Sequence, residues 1–468
     1  MDSLPSRFQS PLSMAVAALL VLVPRDSVSY GSPAGSAAPA RRTVAQLYAQ
    51  SALQLIDEDI GVYGSTPSGC ASSHLDRPYP RSPLHRDLPV DIEGLIALLL
   101  LSVYEYCQRG NLSKMRARTN QALLQAMDMG LHCIPEEVDG FQESKRRAWW
   151  WTIHLLYLTS TLQILPPHIL LGDSRITTPY PSYHVSPEPW KLYMESQDTY
   201  LDIARFVKDL ESQYPSPESV PLSSRHEIDR FDSKLRSMMT ESNSFVGPDL
   251  QDSIEAHAAR NIWNYTRSTL NSARLRLYRF IAFSKRPIFL WRHCDLPALN
   301  QPPSGDEPMT HSVGSTALTT DDHIHNAEDL TNEAVHASKA CLKSALAFTR
   351  SFSAICSPDN CADGTILRPR PLPSFACCAM QASYTLLILL YTLEHAVASG
   401  NCVRYRELIY DPEPGTERNG LERLIQELRD NVTRMLHTMD NCFSTFEGVM
   451  AMPEDVRNAF QYIGASGE

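Results

Sequence analysis

Two long helical blocks between residues 98 and 165 constrain the fold more than any other part of the sequence. The first reads LLLLSVYEYCQRGNLSKMRARTNQALLQAMDMGLHCIP, and the second reads FQESKRRAWWWTIHLLYLTSTLQIL. Apolar residues recur in both at steps of three and four, which is typical of amphipathic α-helices. Gly110, Pro135 and Gly140 stand at the turns between them. The sequence therefore predicts an all-α fold, a multi-helix array of antiparallel helices, instead of an α/β enzyme core.

The first block predicts two helices with different surroundings. Residues 91–107 are apolar on nearly every face, so this helix needs other helices on all sides. The next helix has a single apolar stripe, and Gly130 stands where that helix should end. The stripe consists of Met115, Thr119, Ala122, Ala126, Met129 and Cys133.

The second block predicts a helix from Glu143 to about Leu165, which Pro166 and Pro167 end. Two apolar stripes run along it, so we expect packing on both sides. They are Trp151, Leu155, Leu158, Leu162 and Leu165, and Trp150, Ile153, Tyr157 and Ile164. The three consecutive tryptophans, 149–151, point in three directions. Either all three are core residues or one of them faces a partner helix or a cavity.

Further helices are predicted on both sides of these blocks, and no strand pattern has comparable strength. Their ranges are 41–59, 190–212, 226–240, 252–284, 326–352, 373–397, 419–443 and 454–463. Ser- and Pro-rich stretches separate them at 64–90, 215–224 and 296–325.

Two apolar runs resemble membrane-targeting segments by composition. Residues 11–23 are either a signal-peptide core or a first core helix, and we expect the core helix. Residues 375–393 are about long enough to cross a bilayer, but they contain Gln381 and are followed by Glu394 and His395. A central packing helix is the expected structure.

Charge and cysteine usage restrict the class of protein. The formal charge is −11, from 42 Lys and Arg against 53 Asp and Glu, so the chain as a whole repels a polyanion. The eleven cysteines have no regular spacing. We therefore expect free thiols in a reducing compartment, not a disulfide framework.

The motifs of catalysis are absent from the sequence: no Gly-rich phosphate loop, G-x-S-x-G or H-E-x-x-H. The closest set of metal-ligand types is Asp321, Asp322, His323, His325, Glu328 and Asp329. Acidic residues at a helix start cap free amides in the same way. A magnesium-binding D-D-x-x-D/E motif, as in an all-helical terpene-synthase-like enzyme, is broken by His325.

The sequence also lacks a complete set of zinc ligands. Cys356 and Cys361 bracket a four-residue loop, but no second pair lies nearby and the sequence has no C-x-x-C. We predict no catalytic, no cofactor-binding and no metal-binding residues, and hence no cofactor and no enzymatic activity.

Basic and aromatic residues alternate near the end of the helix at 252–284. The basic residues are Arg274, Arg276, Arg279, Lys285 and Arg286. They indicate either a nucleic-acid or phosphate surface or, as we expect, cations that complement the helix dipole while their stems cover apolar neighbours.

Several phrases in a fixed order carry a resemblance to a known family. They are YEYCQRGN at 104–111, AMDMGLH at 126–132, KRRAWW at 145–150, RITTPYPSY at 175–183 followed by Glu188-Pro189-Trp190, and RLYRFIAFSKRPIF at 276–289 followed by His293-Cys294-Asp295-Leu296. Together they resemble the middle regulatory region of fungal binuclear zinc cluster transcription factors, in the xylanase-regulator-like branch. The zinc cluster itself and its coiled coil have no counterpart in this sequence.

The resemblance implies a regulatory domain at 1–300, a flexible linker at 301–325 and a C-terminal helical region at 326–468 that packs on the same array. It implies a nuclear transcription regulator of a metabolic gene set, for carbon-source use or a secondary-metabolite cluster. The expected partners are other transcription factors or coactivators, in a homo- or heterodimer, with DNA reached only indirectly or through a separate N-terminal module, and with no membrane. A helical-core ligand is a further expectation. The alternatives are an all-helical enzyme and a secreted helical protein without a regulatory role.

Overall fold

The computed structural model describes ten stretches of the chain, which divide into two compact units. The stretches are 10–23, 37–64, 81–135, 140–183, 188–214, 216–244, 254–283, 332–356, 375–409 and 416–466. The first unit takes residues up to 160 together with 167–182, and the second takes 161–166 and the chain from 183 onward. All regular structure in these stretches is helical, so the all-α prediction is confirmed.

The first unit contains the two predicted blocks and the helices before them. Its helices are α1 (Pro11–Leu20), α2 (Ala37–Gly64), α3 (Glu93–Cys107), α4 (Leu112–Asp128) and α5 (Gln142–Gln163), whose last residues belong to the second unit. Helix α1 packs on α2 and α3, and α3 packs on α4. Residues 11–20 are thus a core helix of this unit, capped by a reciprocal pair of hydrogen bonds between Ser10 and Ser13.

The interior position of α3 is confirmed, because twelve of its residues are buried. Polar atoms close the α3–α4 contact: the Ser102 and Thr119 hydroxyls lie 2.7 Å apart, and the Ser102 hydroxyl donates to the Met115 carbonyl oxygen at 3.0 Å. Both residues are fully buried. The predicted α4 stripe is confirmed from Met115 to Ala126, whereas Met129 is only half-buried and Cys133 is exposed.

Glycine and proline end these helices as predicted. Gly130 follows α4 with φ 71°, a left-handed conformation that costs glycine little and other residues more. Helix α5 stops at Gln163, before the two prolines. Its fully buried stripe is the one through Trp150, and Leu165 of the other stripe is 41% exposed. The stripe through Trp151 is buried or half-buried as far as Leu162, so the prediction of packing on both sides fails only at Leu165, which lies beyond the end of the helix.

The second unit begins with three helices that follow the predicted ranges closely. They are α6 (Trp190–Gln213), α7 (Leu222–Ser244) and α8 (Ile254–Phe283). Helix α8 packs on α6 and α7. Helix α7 begins at Leu222, inside the predicted linker at 215–224. The Pro221 carbonyl accepts its first backbone hydrogen bonds, from the N–H groups of Ser224 and Arg225.

The remaining helices complete the same unit. They are α9 (Asn332–Cys356), α10 (Ala376–Ala398), α11 (Glu417–Phe443) and α12 (Met452–Ser466). Helix α9 packs along α8, and α10 packs on α9, α11 and α12. The C-terminal region therefore contacts a helix of the predicted regulatory domain. The predicted linker 301–325 lies outside the described residues, and the boundaries 1–300 and 326–468 stay predictions.

Helix α10 is long and apolar enough to cross a membrane by composition. Within the unit, however, 83% of its most apolar window is buried against protein. Its neighbours are α9, α11 and α12, so it occupies the central packing position that the sequence predicts. Composition alone does not distinguish these two environments, because a buried core helix and a membrane helix are both apolar all round.

Candidate functional site

In the first unit, an extended segment at 175–182, here called the strap, fastens the end of α4 to the start of α5. The backbone N–H groups of Thr177 and Thr178 donate to the His132 carbonyl at 2.9 and 3.1 Å. The buried Thr178 hydroxyl donates to the Leu131 carbonyl at 2.7 Å and accepts from the Ile134 N–H at 2.9 Å. One side chain thus satisfies two backbone groups just beyond the end of α4.

The other end of the strap is held by α5. The Trp150 indole N–H donates to the Pro179 carbonyl at 2.9 Å, and the Trp150 and Tyr180 rings lie 4.1 Å apart. Arg147 donates to the Ser182 carbonyl at 3.0 Å, and the Ser182 N–H donates to Glu143 at 3.0 Å. Trp149 and Trp150 are buried, whereas Trp151 is partly exposed. The strap is a packing device with no reactive group at its centre.

The sites that the sequence raised and set aside are only partly covered by the structure. The acidic and histidine cluster at 321–329, Cys361, Lys285 and Arg286 lie outside the described residues. Among the stretches that the structure does describe, no group of three His, Cys, Asp or Glu side chains has metal-binding geometry. No catalytic residue was predicted, and that expectation remains a prediction.

The arginines of α8 in the second unit lie in very different environments. Arg274 forms an ion pair with Asp232 of α7 at 2.7 Å, and both side chains are largely buried. Arg236 reaches the same carboxylate at 2.6 Å. A buried charge paired at this distance is typical of a structural contact. Arg274 therefore joins α7 to α8.

Arg276 and Arg279 lie inside the unit, where neither of the two sequence interpretations placed them. Arg276 is 2% exposed and Arg279 is 0% exposed. Groups so deeply buried are neither a surface for nucleic acid nor solvated cations at a helix end. The Glu211 carboxylate of α6 accepts from the Nη2 atom of Arg279 at 3.4 Å. That distance is long for a charge-assisted hydrogen bond, which is ordinarily about 2.7–2.9 Å.

The Arg279 guanidinium has donors left over. Within the part of the chain that the structure describes, its Nε and Nη1 atoms are buried and have no hydrogen-bond acceptor. A buried donor without a partner costs about 1–3 kcal/mol, and more when the group is charged. Arg279 therefore reduces the stability of the second unit as long as these donors have no acceptor.

Helices α6 and α10 supply two further polar groups to this region. The Tyr200 hydroxyl lies 3.8 Å from the Cys378 thiol. Burial raises the pKa of Tyr200 above its usual value, while the nearby positive charges of Arg276 and Arg279 oppose that rise. Burial likewise raises the pKa of Cys378 to about 11. Arg276, Arg279, Tyr200, Glu211 and Cys378 are hereafter called the arginine site.

The charge of the Arg279 guanidinium is destabilised by its surroundings. Burial and the positive charge of Arg276 together lower the pKa of Arg279 to about 10, and the Glu211 carboxylate opposes that fall. Charged groups removed from water are usually paired with good geometry, because desolvation costs several kcal/mol per ion. Arg276 places a second buried cation three residues before Arg279 on the same helix.

A signal for the arginine site was present in the sequence. Ser272, Arg276, Arg279 and Phe283 follow one another at steps of four, three and four, and all four are buried. Residues with that spacing share one helix face. The position of the two arginines between Ser272 and Phe283 on one face was the local feature that could have indicated their burial. Tyr200, Glu211 and Cys378 had no such signal, because they come from distant parts of the chain.

Comparison with known proteins adds no assignment: no family model, no curated protein and no solved structure matches this chain. The resemblance to fungal zinc cluster regulators therefore rests on the phrases quoted above.

Proposed function

We propose that this chain is a fungal-type transcription regulator of a metabolic gene set, for carbon-source use or a secondary-metabolite cluster. In this proposal it works in the nucleus through contacts with other transcription factors or coactivators, as a homo- or heterodimer. The net charge of −11 disfavours direct contact with a polyanion. We therefore assign DNA binding to a partner protein or to a separate module.

The observation that carries the proposal is the position of the resembling phrases in the first unit. AMDMGLH supplies the carbonyl groups of Leu131 and His132 at the end of α4. KRRAWW supplies Arg147 and Trp150 at the start of α5. RITTPYPSY is the strap that bonds to both. Three phrases that are separate in sequence thus form one packed element, as expected if they belong to the core of one domain.

The two alternative classes find less support. An enzyme needs convergent reactive groups in an accessible pocket. The strap has none. A secreted protein of this size ordinarily carries disulfides, whereas the described cysteines, among them the neighbours Cys377 and Cys378, are free.

The test is a reporter assay in a fungal host. The full chain is fused to an unrelated DNA-binding domain and brought to a promoter with the matching operator. We expect nuclear accumulation and a changed reporter output, with co-purification of transcription factors or coactivators. A chain that stays out of the nucleus and leaves the reporter unchanged when tethered contradicts the proposal.

Two neighbouring threonines provide matched variants for the same assay. Thr178→Val removes the hydroxyl that fastens the strap, whereas Thr177→Val changes an exposed side chain whose residue contributes only its backbone N–H. We expect the reporter response to fall with Thr178→Val and to persist with Thr177→Val. If both variants give the same reporter response at equal protein levels, the regulatory function does not depend on the strap.

A further inference from the structure

We propose that the arginine site of the second unit binds a small anion that carries a carboxylate or a phosphate group, with Arg279 as its main ligand and Arg276 and Tyr200 beside it. This is a binding site for a small molecule, and it does not depend on the proposed role in transcription.

The donors of Arg279 define the chemistry of the ligand. Its guanidinium is fully buried, and the Nε and Nη1 atoms find no acceptor among the residues that the structure places. Planar guanidinium donors match the oxygen spacing of carboxylates and phosphates. A neutral acceptor would satisfy the hydrogen bonds but would leave the positive charge of Arg279 with only its long contact to Glu211. An anion supplies both.

Glu211 marks where an anion would enter. The Glu211 side chain is 13% exposed and that of Arg279 is 1% exposed, so the carboxylate lies at the solvent side of this ion pair. Its contact with Arg279 is long, at 3.4 Å. We infer that an incoming anion takes the place of the Glu211 carboxylate on Arg279, and that Glu211 then turns to water.

Arg274, on the same helix, is an example of an arginine with a purely structural role. Its guanidinium meets Asp232 at 2.7 Å, and the pair joins two helices. Arg279 is only five residues further along α8 and more deeply buried, but it has a poorer partner. The two arginines lie on the same helix and differ in how well a carboxylate of the chain reaches them. We therefore favour a ligand as the acceptor that Arg279 lacks.

The experiment is a titration of the full chain with inorganic phosphate at constant ionic strength, read by thermal unfolding, with malonate as the carboxylate probe. We expect a saturable rise in the midpoint, since a ligand that binds only the folded state stabilises it in proportion to RT ln(1 + [L]/Kd). Phosphate also stabilises proteins nonspecifically, without saturation. Arg279→Met corrects for that effect, and Arg205→Met removes an exposed cation from α6 as the matched control for net charge.

Glu211→Gln gives the opposite expectation and keeps the test decisive if Arg279→Met does not fold. It removes the competing carboxylate, so phosphate should bind about tenfold tighter. A purely structural role for Glu211 predicts lower stability and no gain in affinity.

The proposal is supported if the saturable shift persists in Arg205→Met, disappears in Arg279→Met and tightens in Glu211→Gln. It is overturned if the shift is linear in every variant, if Glu211→Gln leaves the phosphate affinity unchanged, or if neither phosphate nor malonate gives a saturable response. The reporter assay above measures a separate property, so either proposal can fail while the other stands.

Discussion

The strap of the first unit and the arginine site of the second unit are both built from polar groups in a protein interior, but they are completed to different degrees. In the strap, the Thr178 hydroxyl and the Trp150 indole each meet a backbone partner within 3 Å. In the arginine site, Arg279 has one long contact and two buried donors without an acceptor among the described residues.

This difference distinguishes the strap, which is a structural element, from the arginine site, which is a candidate binding site. A polar group whose partners all come from the chain adds stability and needs nothing else. A buried cation with open donors reduces stability until something binds it. The strap can therefore be tested by how much folding free energy it contributes, and the arginine site by how little is lost when it is removed.

The largest effect is expected from Trp150→Ala in the strap. Trp150 is 3% exposed, has its ring 4.1 Å from that of Tyr180 and donates to the Pro179 carbonyl. Loss of a buried tryptophan side chain costs about 3–5 kcal/mol. Urea unfolding of Trp150→Ala should show that loss, while Trp150→Phe, which keeps an aromatic ring and loses the hydrogen bond, should lose less. Equal losses would mean that the hydrogen bond and not the packing holds the strap.

The next effect compares two buried arginines on α8. Arg274→Met leaves the Asp232 carboxylate buried with Arg236 as its remaining partner, and we expect a loss of about 3 kcal/mol in unfolding free energy. Arg279→Met removes a cation that is poorly paired, so its change should stay within about 1 kcal/mol or be stabilising. A loss in Arg279→Met as large as that in Arg274→Met would show that Arg279 is already fully paired, and would remove the contrast between the strap and the arginine site.

A smaller effect is expected from Thr178→Val. The substitution keeps the shape of the side chain but leaves the Ile134 N–H and the Leu131 carbonyl without their partner, which costs about 1–3 kcal/mol. Thr177→Val should change the unfolding free energy by less than about 0.5 kcal/mol, because its side chain is exposed. Chemical denaturation of the two variants side by side measures the difference. Identical midpoints would show that the strap is held by its α5 end alone.

Helix positions in this chain could be predicted from local pattern, and the strap could be predicted in part. The steps from Met115 to Ala126 and the left-handed Gly130 are short-range features, and both are confirmed. Trp150 could be expected to be buried. Its partner Pro179 could not be inferred, because the contact joins residues 29 positions apart through an extended segment with no periodicity of its own.

The arginine site was harder to predict because the sequence presents its residues as ordinary ones. Arginines near a helix end are usually solvated, and only the stripe shared with Ser272 and Phe283 indicates that Arg276 and Arg279 are buried. Glu211 lies 68 positions from Arg279, so their pairing depends on how α6 packs on α8. Hydrophobic periodicity specifies which face of a helix is buried, but not which neighbouring helix covers it.

The smallest effect concerns a reaction rate and tests whether the arginine site is closed before an anion binds. Burial raises the pKa of Cys378 to about 11, so at pH 8 about one molecule in a thousand carries the reactive thiolate. With iodoacetamide, followed residue by residue by mass spectrometry, exposed Cys133 should be modified first and Cys378 slowly. The Cys378 rate should rise about tenfold per pH unit until the pH approaches 11. Phosphate should slow Cys378 further in the native chain but not in Arg279→Met, and should leave Cys133 unaffected. The Cys378 side chain is half-buried. Fast modification at pH 8 would therefore show that water reaches this edge of the arginine site, and a phosphate effect on Cys378 that is the same in Arg279→Met would contradict anion binding there.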